Sequence, residues 1–251
     1  MGTKLAILSQ QKRQFRNLAS QLRTYAEIAL LPANAWGTKG FQFWTFLSLL
    51  LLKSNCSRIL EFGSGRSTIT LAEYARSRAA HLISIETNRR WFNKARFELR
   101  MLGVSEESVR LLDWNSRTTW YDVEQFRNTI REVGSFDFAF IDGPGVGSNT
   151  RGIRDSKVAL EETQRCIYEA DVVIVDDVHR LHILDTVDAM LGEPTSYEKW
   201  FYDYPVIKDH LNTLCICVKK SSQSSAELGK IRSLVDVSLY MTFQRENCSE
   251  E

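Results

Sequence analysis

The chain has 251 residues, 43% of them hydrophobic and 25% charged, the balance of a folded globular protein long enough to bury a substantial core. Its 32 basic and 31 acidic residues nearly cancel, so no overall charge draws it to nucleic acid or to an anionic surface. The five cysteines show no zinc spacing, and the longest apolar run, Phe41 to Leu52, is too short to cross a bilayer; a cytoplasmic protein with reduced thiols and no membrane span is expected.

Residues 9 to 31 read as an amphipathic helix, with Phe15, Leu18, Leu22, Tyr25 and Ala26 near one face and Lys12, Arg13, Arg16 and Arg23 elsewhere. Pro32, Gly37 and Gly40 interrupt the chain before the Phe41–Leu52 run, which reads as a buried helix. Residues 1–54 are therefore expected to form a helical arm that covers a site or makes a homodimer contact; plain core packing is the other reading.

The stretch RILEFGSGRSTITLAE, from Arg58 to Glu73, predicts a strand, a tight turn at Gly63-Ser64-Gly65 and a helix whose inner face carries Thr68, Leu71, Ala72 and Ala75. Two glycines let the backbone approach a ligand, and N–H groups at the helix start are donors for it. A dinucleotide fingerprint wants a third glycine where this chain has Thr68. HLISIET, 81 to 87, predicts the second strand, ending at Glu86 and Thr87. It is followed by a helix with the stripe Trp91, Ala95, Leu99 and Leu102 and a stop at Gly103. Glu86 stands 21 residues beyond Gly65, where a carboxylate accepts both hydroxyl hydrogens of a ribose.

VRLLD, 109 to 113, predicts a third strand ending at Asp113-Trp114, and FDFAFID, 136 to 142, a fourth ending at Asp142. A strand-end Asp in an open α/β sheet faces the ligand crevice. The loop from Gly143 to Gly147 reads as a mobile lid, and Arg151, Arg154 and Lys157 after it as positive charge for an anionic substrate or as a solvated surface. A helix over about 155 to 168 leads to the buried strand Val172 to Val175, which ends at Asp176-Asp177 with His179 just beyond. A helix with Leu181, Leu184, Val187 and Leu191 follows, then two closing strands in SYEKWFYDY and TLCICVKK, and a polar tail from Ser221. The expected fold is α/β: a seven-stranded, mostly parallel, doubly wound sheet over 55–220, with the N-terminal arm and a C-terminal extension over 221–251.

Glu61-Phe-Gly63-Ser-Gly65-Arg-Ser67-Thr68, followed by Glu86, Asp113 and Asp142 at successive strand ends, resembles the class I Rossmann-fold S-adenosylmethionine (SAM) dependent methyltransferases over roughly 55 to 220. The resemblance implies SAM as cofactor. It places Glu61, Gly63, Ser64, Gly65, Ser67, Thr68, Glu86, Thr87 and Asp142 around the methionine and ribose, and Asp113 and Trp114 at the adenine. In catechol-type and caffeoyl-type O-methyltransferases, an Asp after strand four and an Asp-Asn pair after strand five hold a divalent metal. Asp142 and Asp176 match two of these positions, Asp177 stands where Asn is usual, and Gly145 replaces that family's catalytic lysine. Asp142, Asp176 and Asp177 are thus the candidate ligands for Mg²⁺ or another divalent cation; alternatively Asp177 caps a helix starting near Val178. Asp177-Val178-His179-Arg180 also resembles the end of strand five in plant glucuronoxylan-type O-methyltransferases, which implies a sugar or polyol hydroxyl as acceptor.

The expected activity is O-methylation of a small molecule or saccharide, with Asp142 and His179 as catalytic residues; His179 is the candidate base because imidazole accepts a proton near neutral pH. A nicotinamide-dependent oxidoreductase and a non-catalytic SAM-binding module are the competing readings.

Overall fold

The computed structural model describes residues 47, 50–51, 54–131, 133–143, 156–178, 183–192, 194–207, 210–222 and 243–245. Of the expected N-terminal arm, Leu47, Leu50 and Leu51 are described; they are helical and fully buried, as the apolar run predicts, and the rest lies outside the described residues.

Ten strands are described among these residues: β1 (Arg58–Phe62), β2 (His81–Glu86), β3 (Val109–Leu111), β4 (Trp114–Asn115), β5 (Trp120–Tyr121), β6 (Phe138–Ile141), β7 (Val172–Val175), β8 (Tyr197–Ile207), β9 (His210–Lys219) and β10 (Phe243–Arg245). Five α-helices lie between them: α1 (Arg66–Arg78), α2 (Arg89–Met101), α3 (Val123–Arg131), α4 (Lys157–Ile167) and α5 (Ile183–Leu191). The main sheet runs β10-β8-β9-β7-β6-β1-β2-β3, with β4 and β5 as a separate hairpin. Pairings from β3 through β7 are parallel, and β9, β8 and β10 join antiparallel. The seven expected strands are therefore present, and β10, from the polar tail, adds a short eighth at the edge.

Alternation along the central strands divides the core in two. Ile59, Leu82, Phe138, Phe140, Val172 and Ile174 pack with α1, α2 and Leu47, Leu50 and Leu51 on one face. Leu60, Phe62, Ile83, Ile85, Ala139, Ile141, Val173 and Val175 pack with α3, α4 and α5 on the other. Such strands, apolar on both faces, require helices on both sides, which is what doubly winds the sheet. Cys56, Cys166, Cys215 and Cys217 are buried and form no disulfide among the described residues. Burial pushes the Cys56 thiol up to about 11 and that of Cys166 up to about 12, so both stay protonated.

Several boundaries differ from expectation. β3 stops at Leu111, so Asp113 lies in the connection to the hairpin rather than on the strand. The hairpin strands, two residues each, are too short to show a pattern, whereas Phe126 and Ile130, four residues apart, mark the buried face of α3. The α5 helix begins at Ile183, so Asp177 is not its cap; Asp177 instead adopts a left-handed backbone, φ 61°, which Asp and Asn tolerate better than most residues. Among the described residues no helix is long and apolar enough to cross a membrane.

Candidate active site

The strand order reverses between β1 and β6, and the crevice of an open α/β sheet lies outside the strand ends at such a switch. Here the end of β1 is the glycine turn and the end of β6 is Asp142. They are in backbone contact: the Asp142 N–H donates to the Phe62 carbonyl at 2.9 Å, and a Cβ on Gly63 would stand 2.7 Å from the Asp142 carbonyl oxygen. Gly63 also has φ +86°. Conformation and close approach both demand glycine at this position.

Gly65 is different. Its φ of −172° is extended backbone that any residue adopts, and a Cβ there would meet nothing within 4 Å. The turn therefore opens a space beside Gly65, at the start of α1, where no acidic side chain stands in the first turn.

Beneath the turn lies a polar brace that accounts for Thr68. Its hydroxyl accepts from the Gly65 N–H at 2.8 Å and donates to Glu61 Oε2 at 2.7 Å, and the Ser84 hydroxyl from β2 donates to the same carboxylate oxygen. Glu61 and Thr68 are fully buried, and Ser67 is buried beside them in the first turn of α1. A glycine in place of Thr68 would disconnect turn from strand, which is the structural reason for the departure from the dinucleotide pattern.

Glu86 locks the other side. Its Oε2 accepts from the Ser64 N–H at 2.9 Å and the Ser64 hydroxyl at 3.1 Å, and its Oε1 accepts from the Thr87 and Asn88 N–H groups, both at 2.7 Å. These four donors fill the roughly four acceptor sites of a carboxylate. The Ile85 carbonyl accepts from the Gly63 N–H at 2.8 Å and from the Tyr121 hydroxyl at 3.3 Å. Tyr121 is fully buried in an aromatic cluster with Phe62, Trp120 and Phe126. Burial first, and the nearby Glu86 charge next, push its hydroxyl well above the ordinary tyrosine range, so it stays a neutral donor.

Asp113 is exposed and held by Gln125 of α3: the Asp113 N–H donates to Gln125 Oε1 at 2.9 Å, and Gln125 Nε2 donates to Asp113 Oδ2 at 2.8 Å. Trp114, half-buried, opens the hairpin opposite Tyr121. Ser84, Tyr121 and Gln125 went unremarked in the sequence. Ser84 carries a signal, being a polar residue on the inner side of an apolar strand, whereas Tyr121 and Gln125 become relevant only when the hairpin and α3 fold over the crevice.

On the β6–β7 side, Ile141 and Val175 are register partners, so Asp142 and Asp176 follow side by side on adjacent strands. Asp142 is exposed and Asp176 buried. Asp176 Oδ1 accepts the Asp177 N–H at 2.8 Å. Among the described residues no group of three or more His, Cys, Asp or Glu side chains could hold a metal ion. Asp142, Asp176 and Asp177, the set that the family resemblance implies, are not brought together as such a group. Lys157 begins α4 and pairs with Glu161 on a solvated face. His179, the glycine-rich loop beyond Gly143, Arg151 and Arg154 lie outside the described residues.

The sequence matches the family model described as a methyltransferase domain over residues 60–178, from the middle of β1 to just past β7. No curated protein matches it. Similar solved structures include a candidate caffeoyl-CoA O-methyltransferase from Staphylococcus aureus, at 21% identity over 83% of this chain and 99% of that one, with a TM-score of 0.46. Another is the cofactor-bound Rv0187 from MTB, at 22% identity over 81% and 89%, with a TM-score of 0.47. A third is spermidine synthase from Thermotoga maritima, at 14% identity over 76% and 63%, with a TM-score of 0.49. Residues 60–178 match a methyltransferase domain, and the β3-β2-β1-β6-β7-β9-β8 sheet is built around them.

Proposed function

We propose that the protein methylates a hydroxyl group of a small molecule or saccharide, with Asp142 facing the acceptor. The observation that carries this reading is the exposed Asp142 at the end of β6, whose backbone stands directly against the glycine turn. An acceptor hydroxyl bonded to Asp142 would lie next to the cofactor seat, and a carboxylate orients the attacking oxygen and draws off its proton. His179, two residues past Asp177, is the companion base in this proposal.

The space beside Gly65 and the N–H groups of the α1 start fit the methionine part of SAM. Glu86 fits the ribose, one hydroxyl of which takes the place of the Ser64 hydroxyl, the longest of its four bonds. Asp113 and Trp114 fit the adenine edge and face. Glu61 and Thr68, being buried, hold the turn in shape rather than touch the ligand. When bound there, SAM supplies an electrophilic methyl group on a sulfonium sulfur. The protein's tasks are to align the acceptor oxygen behind that carbon and accept the hydroxyl proton. No step is routed through a metal at Asp142, Asp176 and Asp177, given how those carboxylates are arranged.

Calorimetry with S-adenosylhomocysteine tests the seat, and transfer of labelled methyl to a panel of hydroxyl, amine and thiol acceptors tests the chemistry. Binding together with transfer to hydroxyls that Asp142→Asn abolishes supports the proposal. Transfer to amines or thiols alone, or an Asp142→Asn variant as active as the parent, overturns it.

A further inference from the structure

We infer that the protein carries a second ligand site, for a phosphate monoester, between α3 and α4 at the end of the sheet opposite the cofactor seat. A cavity of about 330 Å³ there is lined by three guanidinium groups, Arg127 and Arg131 of α3 and Arg165 of α4, with the Ser135 hydroxyl at its edge and Ile130 and Cys166 as its apolar part. Ser135 precedes β6 and Asp142 follows it, so at about 3.3 Å per strand residue the two sites lie on the order of 20 Å apart.

The charge arrangement is what asks for a ligand. Arg127 and Arg131 stand four residues apart on one helix, a spacing at which like charges repel, and Arg165 adds a third from the neighbouring helix. One carboxylate answers them. Glu162, its side chain 6% exposed, accepts from Arg127 Nε and a terminal Arg127 nitrogen at 2.8 and 2.6 Å and from Arg165 at 2.6 Å. Burial alone would raise the Glu162 pKa, but the hydrogen bonds and charges of the two arginines outweigh it and hold the carboxyl below its ordinary range. Arg131 makes no ion pair among the described residues. Among the described residues, the three lining arginines less the glutamate that two of them share leave an excess of +2.

A phosphate monoester carries about −1.5 to −2 at neutral pH, which matches that excess, and guanidinium forks suit its oxygens. Ser135 Oγ already accepts from Arg58 at 2.9 Å, and its own hydrogen is a further donor for an anion. The volume exceeds what a phosphate ion alone would fill and stands at the small end of organic-ligand sites, so room remains for a compact organic group against Ile130 and Cys166. The inference does not depend on which acceptor is methylated.

The test is a calorimetric titration of the full chain with glycerol 3-phosphate and with inorganic phosphate, at constant ionic strength, for wild type, Arg131→Gln and Arg131→Lys. Arg131 is chosen because Arg127 and Arg165 hold the buried Glu162 and their loss would destabilise the fold. Expected is saturable one-to-one binding of glycerol 3-phosphate, tighter than inorganic phosphate. It should weaken by about tenfold or more in Arg131→Gln, the loss of one charge-assisted contact, and by less in Arg131→Lys, with S-adenosylhomocysteine binding unchanged. Absence of saturation in wild type, or equal affinity in Arg131→Gln with an unchanged melting temperature, overturns the inference.

Discussion

The two glycines of the turn predict opposite phenotypes for the same substitution. In Gly63→Ala the new methyl group is 2.7 Å from the Asp142 carbonyl oxygen and 3.0 Å from its carbon, both backbone atoms that cannot swing away, at a φ of +86°. Left-handed backbone costs a non-glycine residue about 1–2 kcal/mol and overpacking about 1–3 kcal/mol, together roughly 2–5 kcal/mol. For a domain of this size that lowers the melting temperature by roughly 5–15 °C. In Gly65→Ala the methyl meets nothing within 4 Å and the backbone is extended, so the melting temperature should stay within a few degrees of wild type. That methyl stands in the space assigned to SAM, and affinity for S-adenosylhomocysteine should fall by about fivefold or more, as expected where overpacking costs about 1–3 kcal/mol. Thermal denaturation and calorimetry on the same samples decide it. If Gly65→Ala binds as wild type does, the seat is elsewhere; if Gly63→Ala melts as wild type does, the contact between turn and β6 is not as tight as described.

Thr68→Val keeps the shape but removes the hydroxyl joining Gly65 to Glu61, a bond to a charged group worth about 1.5–3 kcal/mol; denaturant unfolding should show that loss, together with weaker S-adenosylhomocysteine binding. Asp142→Asn changes an exposed group, so it should leave both the melting temperature and cofactor binding near wild type while methyl transfer collapses, as single-turnover assays would show. Glu162 has a folded pKa below its ordinary value of 4.5, so the stability it contributes is present above about that pH and is lost as pH falls through the folded value. Melting temperatures from pH 7 to 3 should therefore fall less steeply in Glu162→Gln than in wild type; parallel curves would refute the ion-pair reading.

Much of the molecule is written locally in the chain. Ile59, Leu60 and Phe62 beside Val172 to Val175 can only be strands buried on both faces, and Gly63, Gly65, Glu86 and Asp142 mark strand ends because glycine and carboxylates there break apolar runs. Sequence alone therefore determined the α/β class, the succession of strands along the chain and the place of the glycine turn. It did not determine what each polar residue does, because a hydrogen bond depends on what another segment brings within about 3 Å. Only the folded chain decided that Thr68 and Ser84 meet at Glu61, that Tyr121 reaches the Ile85 carbonyl, and that Gln125 holds Asp113. Gly63 and Gly65 look alike in the sequence. The end of β6, 79 residues beyond the first, assigns one to the fold and leaves the other beside open space.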